Sequence, residues 1–112
     1  MRDLEKTLKA VGDRNRLRIV KMLERRPMCV CELRAVLGLA QPSVSKHLKI
    51  LRDAGLIADQ QDGLWTNYRI CPENEYAKLL LKCLKGWLGG DEQIAGDRRA
   101  ARGVKKETLC KK

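Results

Sequence analysis

The sequence predicts a mainly α-helical chain carrying one β-hairpin, an α+β arrangement of the winged helix–turn–helix kind. Three observations point there. Two short amphipathic segments, 31–37 and 41–54, are joined only by Gly38-Leu39-Ala40, the tight glycine-containing connection such a helix pair requires. Asp62-Gly63 is a turn signal between candidate strands 56–59 and 65–70. The chain has 112 residues and a formal charge of +10, the size of one compact domain and the charge of a partner for a polyanion.

Each element has its own signature. Leu4, Leu8 and Val11 have helical spacing, and Gly12 ends that segment. Asp13 caps a second helix whose apolar face is Leu17, Val20 and Leu23, with Ile19 and Met22 at its margins. Its other face is basic, with Arg14, Arg16, Arg18 and Lys21. Pro27 breaks the chain. A short helix follows, with Val30, Leu33, Val36 and Leu37 apolar. The next starts near Gln41-Pro42, where proline costs nothing because a first-turn N–H has no intrahelical partner. Val44, Leu48 and Leu51 form its buried stripe, and Gly55 ends it. After the hairpin, Pro72 precedes a last helix from about Glu73 to Leu88, with Tyr76, Leu79, Leu80, Cys83, Leu84 and Trp87 on one broad apolar face. Residues 1–89 are read as the domain. Residues 90–112 have no sustained period and are read as a mobile basic tail. A domain this small is marginal alone, so a dimer sharing its core is expected.

Composition removes several classes. The longest uncharged stretch, Ala35–Ser45, is too short to span a membrane. The N-terminal residues carry no apolar region of a secretory signal. Five cysteines at 29, 31, 71, 83 and 110 fit a reducing cytoplasm and thiols used for packing, ligation or redox. Paired catalytic carboxylates, a phosphate loop and a Ser-His-Asp candidate are all missing. The pair is Cys-x-Cys, not the Cys-x-x-Cys of a thiol oxidoreductase, so the reading is not an enzyme.

The helix from Gln41 has the requirements of a recognition helix. Gln41, Ser43, Ser45 and Lys46 are short or polar enough to meet base edges. His47 is read as DNA-facing or partly buried. Lys49, Arg52 and Arg69 suit phosphates. For a lone amphipathic helix, a solvated face is the favoured reading. The turn, the Gln-Pro-Ser-Val-Ser-Lys-His start and the hairpin together favour DNA.

These segments resemble the arsenic-repressor (ArsR/SmtB) family of metal-sensing transcriptional repressors. The residues carrying the resemblance are 12–19 (Gly-Asp-Arg-Asn-Arg-Leu-Arg-Ile), 29–33 (Cys-Val-Cys-Glu-Leu), 41–57, and the wing end Asn67-Tyr68-Arg69-Ile70. The resemblance implies a homodimer joined through the first and last helices on a palindromic operator and released by an inducer. It places Gln41, Ser43, Ser45 and Lys46 at the bases and the Asp62-Gly63 wing at the flanking minor groove.

Cys29 and Cys31 are the second constellation. Buried packing is one reading of a free cysteine. On a helix, positions i and i+2 point about 200° apart, so both cannot be core. Both could bind one thiophilic ion if the backbone is extended there or opens. The family resemblance implies arsenite or antimonite as inducer, with cadmium or lead as further candidates and no resident cofactor. Its third cysteine position is Arg34 here, so Cys110 is the replacement candidate, ahead of Cys71 and Cys83. Two protein thiolates completed by a small-molecule thiol or hydroxide is the other option. Cys83 is expected in the core. The last helix has no histidine, which argues against a zinc site there. Two alternatives stay open: a thiol-redox sensor of the same fold, and a cytosolic arsenic carrier without a DNA role.

Overall fold

The computed structural model describes residues 1–105 and 109. Among these, six helices and a three-stranded sheet follow in the order α1 (Arg2–Val11), α2 (Arg14–Leu23), β1 (Met28–Cys29), α3 (Val30–Leu37), α4 (Gln41–Asp53), β2 (Ile57–Asp62), β3 (Trp65–Ile70), α5 (Glu75–Lys85) and α6 (Glu92–Gly103). The sheet order is β1-β3-β2, antiparallel throughout. The hairpin pairs Ile57 with Ile70 and Asp62 with Trp65, so Gly63 and Leu64 form its tip. Gly63 has φ of 61°, a conformation glycine adopts without a Cβ penalty.

The core is aliphatic. Ile19, Val20 and Met22 of α2 meet Leu33 of α3, Val44, Leu48 and Leu51 of α4, and Leu56 and Ile57 at the start of the hairpin. Ile19 and Met22, expected at the margin of α2, are 0% and 1% exposed. Lys21, expected on a basic outer face, is 1% exposed. Its Nζ donates to the carbonyls of Leu84 and, at 3.0 Å, Trp87, and pairs with Glu24 at 2.9 Å. The ammonium therefore caps the C-terminal end of α5 from inside, where the orphan carbonyls and the helix dipole both favour a cation.

Gly55 is required by space as well as by its φ of 76°. A Cβ there would lie 3.2 Å from Asn74 Nδ2 and 3.3 Å from Glu73 Cβ. Asn74, held against this turn, accepts the N–H of Ala77 and caps α5.

Two expectations are corrected. Residues 92–103 form helix α6, not part of a tail. Asp91 caps it by accepting the N–H of Ile94, and Ile94, Asp97 and Ala101 are buried against the body. Arg18 of α2 holds Asp97 with two guanidinium bonds, 2.9 and 3.0 Å. With only three buried side chains in its twelve residues, α6 shows little apolar periodicity, which is why the pattern was missed. Cys83 is exposed rather than core. Helix α5 has two apolar faces: Ala77, Leu81 and Leu84 point inward, while Tyr76, Leu79 and Cys83 point out. The sequence reading merged them into one.

Candidate nucleic-acid interface and thiol site

Helix α3 ends at Gly38, whose φ of 71° is the left-handed cap, with its N–H on Arg34 O. Three residues later α4 begins. Its N-cap, Ala40, has no side-chain acceptor, but its carbonyl accepts the N–H groups of Ser43 at 3.1 Å and Val44 at 3.2 Å, and Pro42 has no N–H to satisfy. Val44, Leu48 and Leu51 hold the helix on the core, and Gln41, Ser43, Ser45 and Lys46 are exposed at its N-terminal end. Arg69 is exposed on β3. Lys49 and Arg52 are partly neutralised. Lys49 pairs with Asp53 at 2.9 Å, and Arg52 lies 3.4 Å from Asp59. The hydrogen bond from Lys49 holds the Asp53 carboxyl below its usual value.

His47 is half-buried. Its Nδ1 lies 3.2 Å from Nη1 of Arg16, which donates because a guanidinium has no acceptor. The same guanidinium donates from Nε to Ala10 O at 2.6 Å and from Nη2 to Lys9 O at 3.2 Å. Arg16 therefore ties the end of α1 and helix α4 to α2. Asp13 starts α2 by accepting from Asn15 and Arg16, and these bonds lower its carboxyl pKa. Arg16 was read only as part of a basic face, because its partners are distant backbone and α4.

Cys29 has two structural duties. It is the last residue of β1, paired with Asn67 of the wing strand, and it is the N-cap of α3 in an extended conformation. Its N–H donates to Glu32 Oε1 at 3.0 Å, one half of a capping box. Glu32 Oε2 accepts from Arg26 at 3.0 Å, and Nη2 of Arg26 reaches the α6 carbonyl of Ala101 at 3.0 Å. A Glu three residues after a capping position was visible in the sequence, although Cys in place of Ser or Thr hides the pattern. Cys29 is 2% exposed. Burial, with the Glu32 carboxylate beside it, pushes its thiol pKa up.

Cys31 sits in the first turn of α3, half-buried, in a hollow with Arg34, Ala35, Gly38, Leu39 and Leu109. The two cysteines face different surroundings, Cys29 buried at the end of β1 in extended backbone and Cys31 half-buried in the first turn of α3. Among the described residues no cluster of three or more Cys, His, Asp or Glu is assembled as a metal site. Cys110 lies outside the described residues. Its neighbour Leu109 lines the Cys31 hollow. Cys71, half-buried, and Cys83 are free thiols, as is Cys29. The donor set suits a thiophilic ion chemically, and the backbone at Cys29 is extended.

Comparison with known proteins agrees with this geometry. Residues 13–59 match the profile of the bacterial regulatory protein, arsR family. The chain is 43% identical over 65 residues to the arsenical resistance operon repressor of Escherichia coli, covering 57% of this chain and 56%, just over half, of that protein. It is 31% identical over 108 residues to the arsenic resistance transcriptional regulator ArsR2 of Pseudomonas putida, covering 91% of this chain and 93% of that one. Among solved structures, HlyU from Vibrio cholerae superimposes with a TM-score of 0.67 at 28% identity, covering 78% of this chain and 92% of that one. With the match to the P. putida regulator running nearly end to end in both proteins, this chain belongs to the arsR family of bacterial regulatory proteins.

Proposed function

We propose that this chain is a homodimeric transcriptional repressor that leaves its operator when As(III) or Sb(III) binds Cys29 and Cys31. The observation that carries the DNA half is α4. Its apolar stripe is fully buried while Gln41, Ser43, Ser45 and Lys46 stand exposed behind a left-handed glycine turn. Gln pairs with adenine, Lys with guanine or phosphate, and Ser with either.

The dimer reading rests on an uncovered apolar face. Leu8 of α1 is 53% exposed and Leu79 of α5 is 63% exposed, on two helices that touch each other. Leu4, Tyr76 and Cys83 extend the same two helices outward. A second copy burying this face doubles the recognition helices and sets the half-site spacing.

In the inducer step, trihydroxyarsine exchanges hydroxide for thiolate. Each new As–S bond replaces an As–O bond, and the thiol proton leaves with that oxygen as water, without redox change. Cys29 and Cys31 supply two bonds. Cys110 is the proposed third donor, supported by Leu109 at the Cys31 hollow. Drawing the two sulfurs together costs the capping box at Glu32 and the pairing of Cys29 with Asn67. The α3–α4 pair and the wing move together, and the ligand shifts the balance only by its preference for that moved state. Cadmium or lead are alternative occupants of the same thiols, and thiol oxidation is the alternative signal.

The test is fluorescence anisotropy of reduced protein on a labelled duplex from its own upstream region, titrated with arsenite. Salt-sensitive binding reversed by arsenite, with reversal lost in Cys31→Ser, is the expected result. Reversal retained in Cys31→Ser overturns the proposed inducer site. No binding to any duplex overturns the DNA role and leaves the carrier reading.

A further inference from the structure

Three acidic residues of the flank formed by α2, α3 and α6 turn inward, while Glu92 at the start of α6 is exposed. Glu24 is occupied by Lys21 and Arg98, Glu32 by Arg26, and Asp97 by Arg18, and all three carboxylate side chains are less than 10% exposed. Outside them stand Arg25, Arg34, Arg102 and Lys105. All four are exposed, and none has an ion pair or side-chain hydrogen bond to another described residue. These three carboxylates are used within the fold, and the described outer surface around the C-terminal end of α6 carries the four cations.

Their placement is ordered. Arg25 and Arg102 line one hollow over Met22 and Met28. Arg102 and Lys105 line the next, together with Asn67 at the base of the wing. Arg34 shares a third with Gly38 and Leu39, the turn that leads into the recognition helix. The first two hollows share Arg26 and Arg102 and run together as one strip from α2 to the wing strand, while Arg34 stands apart, beside the turn of the helix–turn–helix.

We infer that this strip is a second phosphate-binding surface, in which α6 contributes Arg102 and Lys105 to the DNA backbone flanking the site read by α4. The inference rests on the DNA-binding reading above and adds a region that lies outside the helix–turn–helix and the wing. Contacts of this type position the protein without reading bases. Each phosphate neutralised adds about 0.9 to the slope of log affinity against log salt.

The experiment is a salt titration of binding by anisotropy, on a duplex from the protein's own upstream region and on a random-sequence duplex. The variants are Arg102→Ser/Lys105→Ser and Arg25→Ser alone. Lys78→Ser/Lys82→Ser removes the same charge from the opposite end of the wing strand, in the hollow beside Ile70 and Pro72. The α6 double variant is expected to lose about two units of slope per protomer, with equal loss of affinity for both duplexes. Arg25→Ser loses about half as much, and the Lys78/Lys82 variant keeps the wild-type slope. An unchanged slope in the α6 variant overturns the inference. So does an equal loss in the Lys78/Lys82 variant, which makes net charge sufficient. If the wild-type protein binds neither duplex, the DNA-binding reading itself fails, a result distinct from failure of the strip.

Discussion

The backbone N–H of Cys29 donates to Glu32 Oε1 at 3.0 Å, and the other oxygen of the same carboxylate is held by Arg26. One carboxylate thus fixes the start of α3, adds to burial in holding the Cys29 thiol protonated, and connects that turn to the end of α6.

Glu32→Gln keeps an acceptor for the Cys29 N–H but removes the charge. Loss of that charge takes away one of the causes that raise the thiol pKa, while burial still acts. The Cys29 thiolate fraction at pH 8 is expected to rise. In a background with the other cysteines changed to Ser, Cys29 is expected to react several-fold faster with a small alkylating agent, with its pH–rate curve moved to lower pH. An unmoved curve refutes the carboxylate's role.

Lys21→Met is expected to destabilise the protein by about 3 kcal/mol, the cost of removing one partner from a buried ion pair. Methionine matches the stem but leaves the carbonyls of Leu84 and Trp87 without their donor. Urea unfolding should show a lower midpoint with an unchanged m-value.

Leu79→Glu tests the dimer. The side chain is 63% exposed in the isolated chain, so a surface glutamate alters the monomer fold by no more than about 0.5 kcal/mol. Sedimentation velocity is expected to show a dimer for the wild type and a monomer for the variant, with circular dichroism unchanged. A dimer that survives the substitution moves the interface elsewhere.

Asp13 makes stability fall in acid. Its folded pKa lies below the ordinary 3.8 because the Arg16 and Asn15 N–H groups bind the carboxylate. A lowered folded pKa means the stabilising contribution is present above 3.8 and is lost as pH falls through the folded value. Asp13→Ala is expected to cost about 1 kcal/mol at pH 7. The difference between wild type and variant should shrink below pH 4 in thermal melts.

Much of the architecture was legible because local rules act there. Gly38 after Leu37, Pro42 in a first turn, the Val44-Leu48-Leu51 stripe and Asp62-Gly63 each specify a local conformation, and α3, α4 and the hairpin lie within a few residues of their expected bounds. The rest depended on partners distant in sequence. Lys21 looks like a surface cation until Leu84 and Trp87 arrive to receive it. Helix α6 is held largely by Arg18 on Asp97 and by Arg26 on its last carbonyls, contacts no periodicity records. The outward stripe of α5 reads as core because apolar spacing does not say which body covers it. Strand β1, two residues long, is too short to leave a pattern.

The two-residue strand has a consequence for how any event at α3 is transmitted. Met28 and Cys29 face Tyr68 and Asn67 in a fixed register. Sheet register is discrete: a slip by one residue would turn Met28 and Cys29 to the opposite faces of the sheet. With both rungs parted, the hairpin would still be held by Ile57, Tyr68 and Ile70 on the core and by the Cys71 N–H on Leu56 O. A displacement of Cys29 therefore acts on the wing first through Asn67, its partner on β3.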